Sequence, residues 1–138
     1  MYTLYKFLTV ILSPLVSVYL HVRLINGKED KKRFKERFGI PTVKRPEGDI
    51  LWFQCTSVGE ANSAFPLIDK ILVDNKDITI LITSGTVTSA STVEMAIKSR
   101  NTSKIIHQYT PIDTYFSIKR FLEFWKPKAL ITVESEIW

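Results

Sequence analysis

Apolar and polar residues follow one another in blocks along this chain, and from residue 50 the blocks have the lengths of strands and helices. Apolar runs of strand length cover residues 50–55, 78–83, 104–109 and 128–133. Helical segments lie between them: one at 61–73, one that follows the second run and its polar cluster and ends at about residue 99, and one at 114–125. Regular alternation with short connections predicts a parallel sheet covered by helices and joined by right-handed crossovers. The chain is therefore expected to have an α/β fold.

The first twenty residues form the most apolar part of the chain. Residues 2–20 carry a single charge, Lys6. As a helix, nineteen residues are about 28 Å long, close to the roughly 30 Å of a bilayer's hydrocarbon core. The segment is thus expected to cross a membrane once, as an anchor over residues 1–22. A cleaved signal peptide is the alternative, but no small-x-small site follows Leu20 and the next residues are basic.

The net charge of +5 is concentrated directly after this apolar segment. Residues 23–48 contain nine Lys/Arg and four Asp/Glu, an excess of five that accounts for the whole net charge. Positive charge beside a membrane helix predicts that this side is cytoplasmic and contacts anionic lipids; a solvated helix face is the alternative. Beyond Phe34 and Phe38, no aromatic residues are interleaved with these charges, so nucleic-acid binding is not expected. We expect a basic helix and linker at 23–48 and a globular domain at 49–138.

A polar cluster follows each predicted strand, and in a parallel sheet the four clusters converge on one edge. The first, residues 57–60, has the sequence Ser-Val-Gly-Glu, which turns from a strand into a helix. Ligands of open α/β sheets collect at this edge. Glu60, beside Ser57 and Gly59, is therefore a candidate general base. Alternatively, Glu60 only complements the positive end of the helix dipole.

The other three clusters offer further candidates, each with a structural alternative. Thr86 and Thr88 could bind a phosphate or a sugar hydroxyl, or simply cap the next helix, and Asp113 could likewise be a helix cap. Glu134 and Glu136 alternate at the end of a strand, so only one is expected to face a cleft shared with Glu60.

Cysteine and histidine content points to neither a disulfide nor a metal site. The single cysteine, Cys55, lies inside an apolar run, which predicts a buried small residue. Neither histidine has a neighbour at ligand spacing, so no metal site is expected.

Taken together, these motifs resemble those of the 3-deoxy-D-manno-octulosonic acid (Kdo) transferases. The matching stretches include residues 57–60, 83–88, 109–113, 120–122, 126–127 and 134–138, with 27–30 and 37–39 upstream. The resemblance covers almost the whole chain, and it is the ordered set of motifs that makes it specific.

The resemblance implies the N-terminal, Rossmann-like domain of a two-domain glycosyltransferase of the GT-B type. Such an enzyme transfers Kdo from CMP-Kdo to a lipid A precursor at the cytoplasmic face of the inner membrane, with inversion and without a metal or other cofactor. By motif, Glu60 would be the general base and Glu134 would stabilise the transition state, chosen over Glu136 from the motif alone. Ser57 and Gly59 would shape the loop around the base.

The C-terminal domain that holds CMP-Kdo in this family would lie beyond residue 138. We therefore expect this chain to supply the acceptor half and to be inactive alone. The alternative is a non-catalytic, membrane-tethered binding module or a remnant of such an enzyme.

Overall fold

The computed structural model describes residues 2–134, with side chains from Lys6 onward. The chain divides into two compact units, which are described separately. Unit 1 comprises residues 1–44 and 111–124, and unit 2 comprises residues 45–110 and 125–138.

Unit 2 contains a four-stranded parallel sheet. Its elements, in chain order, are β1 (Asp49–Cys55), α2 (Val58–Asp74), β2 (Ile78–Ser84), α3 (Val87–Arg100), β3 (Ile105–Tyr109) and β4 (Ala129–Val133). Helices α1 (Tyr2–Ile25) and α4 (Tyr115–Trp125) begin in unit 1. The strand order is β3-β2-β1-β4, and every neighbouring pair is parallel. The α/β class, the four strands and the parallel sheet predicted from the sequence are confirmed.

The helices of unit 2 also lie where the apolar pattern predicts them, with one informative difference. Helix α2 begins at Val58, three residues before the predicted start. Ser57 has an extended backbone and its hydroxyl accepts a hydrogen bond from the Glu60 amide, so it is the N-cap. Glu60 consequently lies inside the first turn of α2.

The core of unit 2 lies between the sheet and helices α2 and α3. Its fully buried side chains include Phe53 and Cys55 from β1, Ile82 from β2, and Ile68 and Val93 from the two helices. Strands β1 and β2 are central in the sheet and largely buried, whereas β4 at the edge is partly exposed. Central strands with continuous apolar sequences are typical of parallel sheets.

Unit 1 contains helix α1 (Tyr2–Ile25), a five-residue 3₁₀ helix (Phe34–Phe38) and helix α4 (Tyr115–Trp125), whose last residue belongs to unit 2. The predicted basic helix is therefore much shorter than expected. Gly39, whose backbone is in the left-handed region, ends this helix. Arg33 and Arg37 form ion pairs with Glu36 and Glu29 instead of contributing to one solvated stripe.

Two acidic residues organise this segment. Glu29 is 6% exposed and receives hydrogen bonds from Arg23 and Arg37, at N–O distances of 2.7 and 2.9 Å. Glu36 is 1% exposed and pairs with Arg33 at 2.8 Å. Burial alone would raise the pKa of Glu29, but the hydrogen bonds from Arg37 and then Arg23 outweigh it and lower the pKa below 4.5.

Gly39 brings the chain after the 3₁₀ helix against the backbone of α4. Its φ of +72° lies in the left-handed region, and a Cβ at this position would overlap the carbonyl oxygen of Ser117. The Ile112 amide donates to the Arg37 carbonyl 2.8 Å away, which fixes the same approach. Glycine is therefore required here by both backbone conformation and space.

Helix α1 meets the length and composition expected of a membrane span. The stretch Lys6–Ile25 has a mean hydropathy of 1.8, and only 6% of it is buried. It is the one such helix among the described residues, and it lies near the N-terminus. These properties indicate a candidate membrane segment without fixing its orientation.

We predict that Gly39→Ala lowers the free energy of unfolding by about 3 kcal/mol or more, from left-handed strain plus overlap with α4. Gly27→Ala is the matched control, because Gly27 has a φ of +70° but open space around its Cβ direction. It should cost only about 1 kcal/mol. Urea unfolding measures the free energy of unfolding of the two variants. Equal losses of this free energy would show that Gly39 does not approach α4 closely.

We also predict that Glu29→Gln destabilises the chain by about 3–5 kcal/mol at neutral pH, since it removes the buried negative charge that pairs with Arg37 and Arg23. Because the folded-state pKa of Glu29 is lowered, its contribution is present above the unfolded value of 4.5 and is lost as pH falls through the folded value. The free energies of unfolding of the parent and of Glu29→Gln, measured between pH 7 and 3, should converge at the acidic end of this range. A constant difference across this range would contradict the ion-pair account.

Candidate functional site

The strand order creates a crevice at the carboxyl end of the sheet. The chain leaves β1 toward β2 on one side, and it returns after β3 to place β4 on the other side of β1. The strand order therefore switches direction beside β1. Ligands of open α/β sheets bind at such a switch in strand order.

A cavity of about 370 Å³ opens at this point. It is lined by residues that follow β1 and by the end of β4, namely Ser57, Gly59, Glu60, Ser63, Val133 and Glu134. In the register of the sheet Cys55 pairs with Val133, so the turn after β1 and Glu134 leave the sheet at the same level. The structure thus brings four of the predicted site residues together, including both carboxylates.

Glu60 is held by a reciprocal capping box. Its amide donates to the Ser57 hydroxyl over 3.2 Å, and its Oε2 accepts hydrogen bonds from the amides of Thr56 at 2.6 Å and Ser57 at 3.3 Å. Glu60 therefore does have a structural role at the start of α2, and two hydrogen bonds make that role more specific than an interaction with the helix dipole. Within residues 2–134 both side-chain hydrogen bonds of Glu60 go to Oε2, so that oxygen orients the group, and Oε1 accepts no hydrogen bond there.

Glu134, the last described residue, is exposed and lines the cavity. Glu136 lies outside the described residues. That the side chains of Glu134 and Glu136 point to opposite sides of the strand therefore stays a prediction. Two half-exposed or exposed carboxylates on one cavity can act on a proton and on a developing positive charge.

The remaining candidates do not line this cavity. Thr86 caps α3, since its Oγ1 accepts from the Ser89 amide at 3.1 Å, and Thr88 is exposed in the first turn of that helix. Asp113 is exposed and precedes α4 in unit 1. Thr114, rather than Asp113, directly precedes the first helical residue. Substrate contacts by these three residues stay predictions.

Cys55 lies at the end of β1, directly before the turn that carries Glu60. It is fully buried, as predicted. Burial, and secondarily the charge of Glu60, raise the pKa of its thiol to about 11. At neutral pH this group is a packed thiol and a poor nucleophile.

The predictions made from the sequence did not include two features of the site. The spacing Ser57-x-x-Glu60 is itself the signature of a capping box and would have placed the helix start correctly. Ser63, one turn after Glu60, also lines the cavity, and its hydroxyl donates to the Glu60 carbonyl at 2.8 Å. Its position three residues after the candidate base was the available signal.

Metal ligands are not clustered in the described part of the chain: no group of three or more His, Cys, Asp or Glu side chains is placed to hold an ion. The chemistry available at the cavity is that of carboxylates, hydroxyls and backbone amides.

Several known proteins that are similar to this chain are described as 3-deoxy-D-manno-octulosonic acid transferases. A "Probable 3-deoxy-D-manno-octulosonic acid transferase, mitochondrial" of Arabidopsis thaliana is 39% identical over 99% of the chain and 30% of that protein. The 3-deoxy-D-manno-octulosonic acid transferases of Rickettsia bellii and Haemophilus influenzae are 38% and 30% identical, over 100% and 97% of the chain and 32% and 31% of those proteins. The chain thus spans about a third of the curated relatives' length. No solved structure matches it significantly.

The family's sequence model covers both the strand-end turn and the end of β4. The family model matches residues 32–138, and its description is "3-Deoxy-D-manno-octulosonic-acid transferase (kdotransferase)". That match includes every residue that lines the cavity. This chain belongs to the Kdo transferase family.

Proposed function

We propose that this chain forms the acceptor side of an enzyme that transfers Kdo from CMP-Kdo to a hydroxyl of a lipid A precursor. The observation that carries the proposal is the placement of Glu60 and Glu134 on one cavity at the switch in strand order. Family membership supplies the class of reaction, and the two carboxylates supply groups able to perform it.

In the proposed reaction, Glu60 takes the proton of the acceptor hydroxyl as its oxygen attacks the anomeric carbon of Kdo. The bond from that carbon to the phosphate oxygen breaks, and CMP leaves with the electron pair. Attack from the side opposite the leaving group inverts the configuration. A positioned general base typically contributes about 10²–10⁴-fold to such a step.

The capping contacts of Glu60 are compatible with this role. The amides of Thr56 and Ser57 hold Oε2 and so restrict the carboxylate to one orientation. A base that is oriented before substrate binds avoids the entropic cost of ordering it during the reaction. Ser57 and Gly59 shape the turn, and in the proposed reaction Glu134 stabilises the positive charge that develops on the sugar ring.

The donor side is proposed to come from the two thirds of the relatives' length that this chain does not span, in a second domain of GT-B type. The parallel sheet with order β3-β2-β1-β4 is the arrangement expected of one doubly wound half. Neither a metal nor another cofactor is part of the proposed reaction.

Membrane attachment is proposed through α1, with the globular part on the cytoplasmic side of the inner membrane. A lipid-linked acceptor lies in that membrane, so attachment keeps the cavity close to its substrate. The sequence predicts that α1 crosses the membrane once, but the contacts of α1 lead us to a different orientation, which is argued below.

The competing proposal is a binding module in which Glu60 has only its capping role, as the complete capping box allows. The two proposals differ in their response to Glu60→Gln. Glutamine at this helix position still accepts the two amide hydrogen bonds, but it cannot take a proton.

We predict that Glu60→Gln keeps the stability of the parent within about 0.5 kcal/mol, whereas Glu60→Ala loses about 1 kcal/mol with the cap. Both should lower transfer by about 10²–10⁴-fold. Transfer is measured with a chimera in which this chain replaces the matching third of the Rickettsia bellii relative, using CMP-Kdo and a lipid A precursor. The chain alone should be inactive.

Asp74→Asn is the matched control, because it removes a carboxylate from the opposite end of α2, where Asp74 pairs with Lys70 at an exposed site. It should leave transfer unchanged. Full activity of Glu60→Gln would favour the binding module, as would an inactive chimera whose folding and lipid binding are intact.

For Glu134→Gln we expect kcat to fall by about 10²–10³-fold, the loss typical of one electrostatic contact to a transition state. Because Glu134 is exposed, the free energy of unfolding should not change measurably. A rise in KM at unchanged kcat would instead assign Glu134 to substrate binding.

A further inference from the structure

Helix α1 contacts the rest of unit 1 near both of its ends. Near its start, the Lys6 ammonium lies 4.6 Å from the centre of the Tyr115 ring, and the Tyr115 amide donates to the Thr9 hydroxyl over 3.4 Å. Near its end, Arg23 pairs with Glu29 at 2.7 Å. The His21 ring also packs edge-on against Phe34, with centroids 5.0 Å apart.

One stripe of α1 is less exposed than the rest of the helix. Its residues recur at helical spacing: Thr9, Ser13, Val16, Ser17, Leu20, Arg23 and Leu24. Four of these seven are polar, namely three hydroxyl residues and Arg23. The exposed residues are mostly large and apolar: Phe7, Leu8, Val10, Ile11, Leu12, Leu15, Val18, Tyr19 and Val22. The protein thus covers the more polar stripe and leaves the apolar faces open.

These contacts are incompatible with α1 standing across a bilayer. From Thr9 to Arg23 the helix rises about 21 Å. With Arg23 at the cytoplasmic interface, Tyr115 would have to lie about 20 Å deep in a hydrocarbon core of about 30 Å. Tyr115 begins α4, which carries exposed Lys119, Arg120 and Glu123, and ionised side chains at that depth are strongly disfavoured.

We propose that α1 lies along the surface of an anionic phospholipid leaflet, with its apolar faces in the acyl boundary and both of its ends on the same side. An apolar face of this kind is inserted to a depth of about 5–10 Å in interfacial helices. This proposal concerns the membrane setting of the function proposed above and does not depend on the transfer reaction.

The charges that follow α1 favour an anionic lipid surface as the partner. The arginines of this segment are used in ion pairs with Glu29 and Glu36. Its lysines remain exposed, namely Lys28, Lys31, Lys32 and Lys35. Four free ammonium groups beside an apolar helix complement anionic headgroups, and this pairing of features is typical of interfacial anchors.

Depth measurements along one face of α1 test the orientation directly. Leu8→Cys, Leu15→Cys and Val22→Cys place labels seven residues apart on one face, at positions that are 48%, 67% and 49% exposed. Native Cys55 can stay, because its buried thiol has a pKa of about 11 and will not compete for label at neutral pH. The full chain is bound to preformed vesicles containing phosphatidylglycerol, and quenching by lipids with quenchers at known depths is measured.

We expect all three labels at one shallow depth. A spanning helix would place the Leu15→Cys label near the bilayer centre and the other two about 10 Å from it on opposite sides, and this result would overturn the proposal. An impermeant quencher added outside should reach the ends of α1 equally. Failure to bind vesicles, or self-association of the chain through α1 in their presence, would also overturn it.

Charge variants test the choice of lipid. Replacing Lys28, Lys31, Lys32 and Lys35 with glutamine should weaken binding to phosphatidylglycerol vesicles by about 100-fold or more, with little effect on binding to neutral vesicles. The matched control replaces four exposed lysines of unit 2, Lys70, Lys76, Lys98 and Lys104. Equal losses in the two variants would show that net charge, and not the segment beside α1, directs binding. Activity of the chimera is not involved, so failure here and failure of the proposed reaction are distinguishable.

Discussion

The parallel pairing of β4 with β1 is the interaction on which the site depends. It switches the direction of the strand order beside β1 and sets Val133 level with Cys55, so that Glu134 and the turn that begins at Ser57 line one cavity. The hydrogen bonds from Thr56 and Ser57 then fix Glu60 there. Without β4 the turn after β1 would still form its capping box, but Glu60 would have no second carboxylate beside it.

Much of this arrangement could be predicted from the sequence, because strand and helix periods are local properties. The apolar runs predicted the four strands, and the strand ends predicted Glu60 beside either Glu134 or Glu136 at one edge. The choice of Glu134 came from the family motif. The capping of Glu60 was predictable from Ser57 but was missed. The burial of Glu29 and Glu36 was not predictable, since it depends on arginines brought together by the turn and the 3₁₀ helix. A stripe of charge was expected there, and only its lysines remain exposed.

The two units use charge differently, and the difference connects fold to function. In unit 1, arginines stabilise the segment after α1 through ion pairs, and the lysines and the apolar faces of α1 are exposed. In unit 2, the Glu60 carboxylate is oriented by the backbone amides of Thr56 and Ser57. An enzyme acting on a lipid-linked hydroxyl needs both properties, a surface that stays at the membrane and a base that is ordered before the substrate arrives.

Chemical rescue tests most directly whether Glu60 is a base as well as a cap. In the chimera carrying Glu60→Ala, the space left by the side chain can admit formate, which can accept a proton but cannot restore the capping box. The account predicts that formate raises the rate of Kdo transfer in Glu60→Ala and has little effect on Glu60→Gln, where the amide still fills the space. Transfer by Glu60→Ala at the parental rate without formate would contradict it.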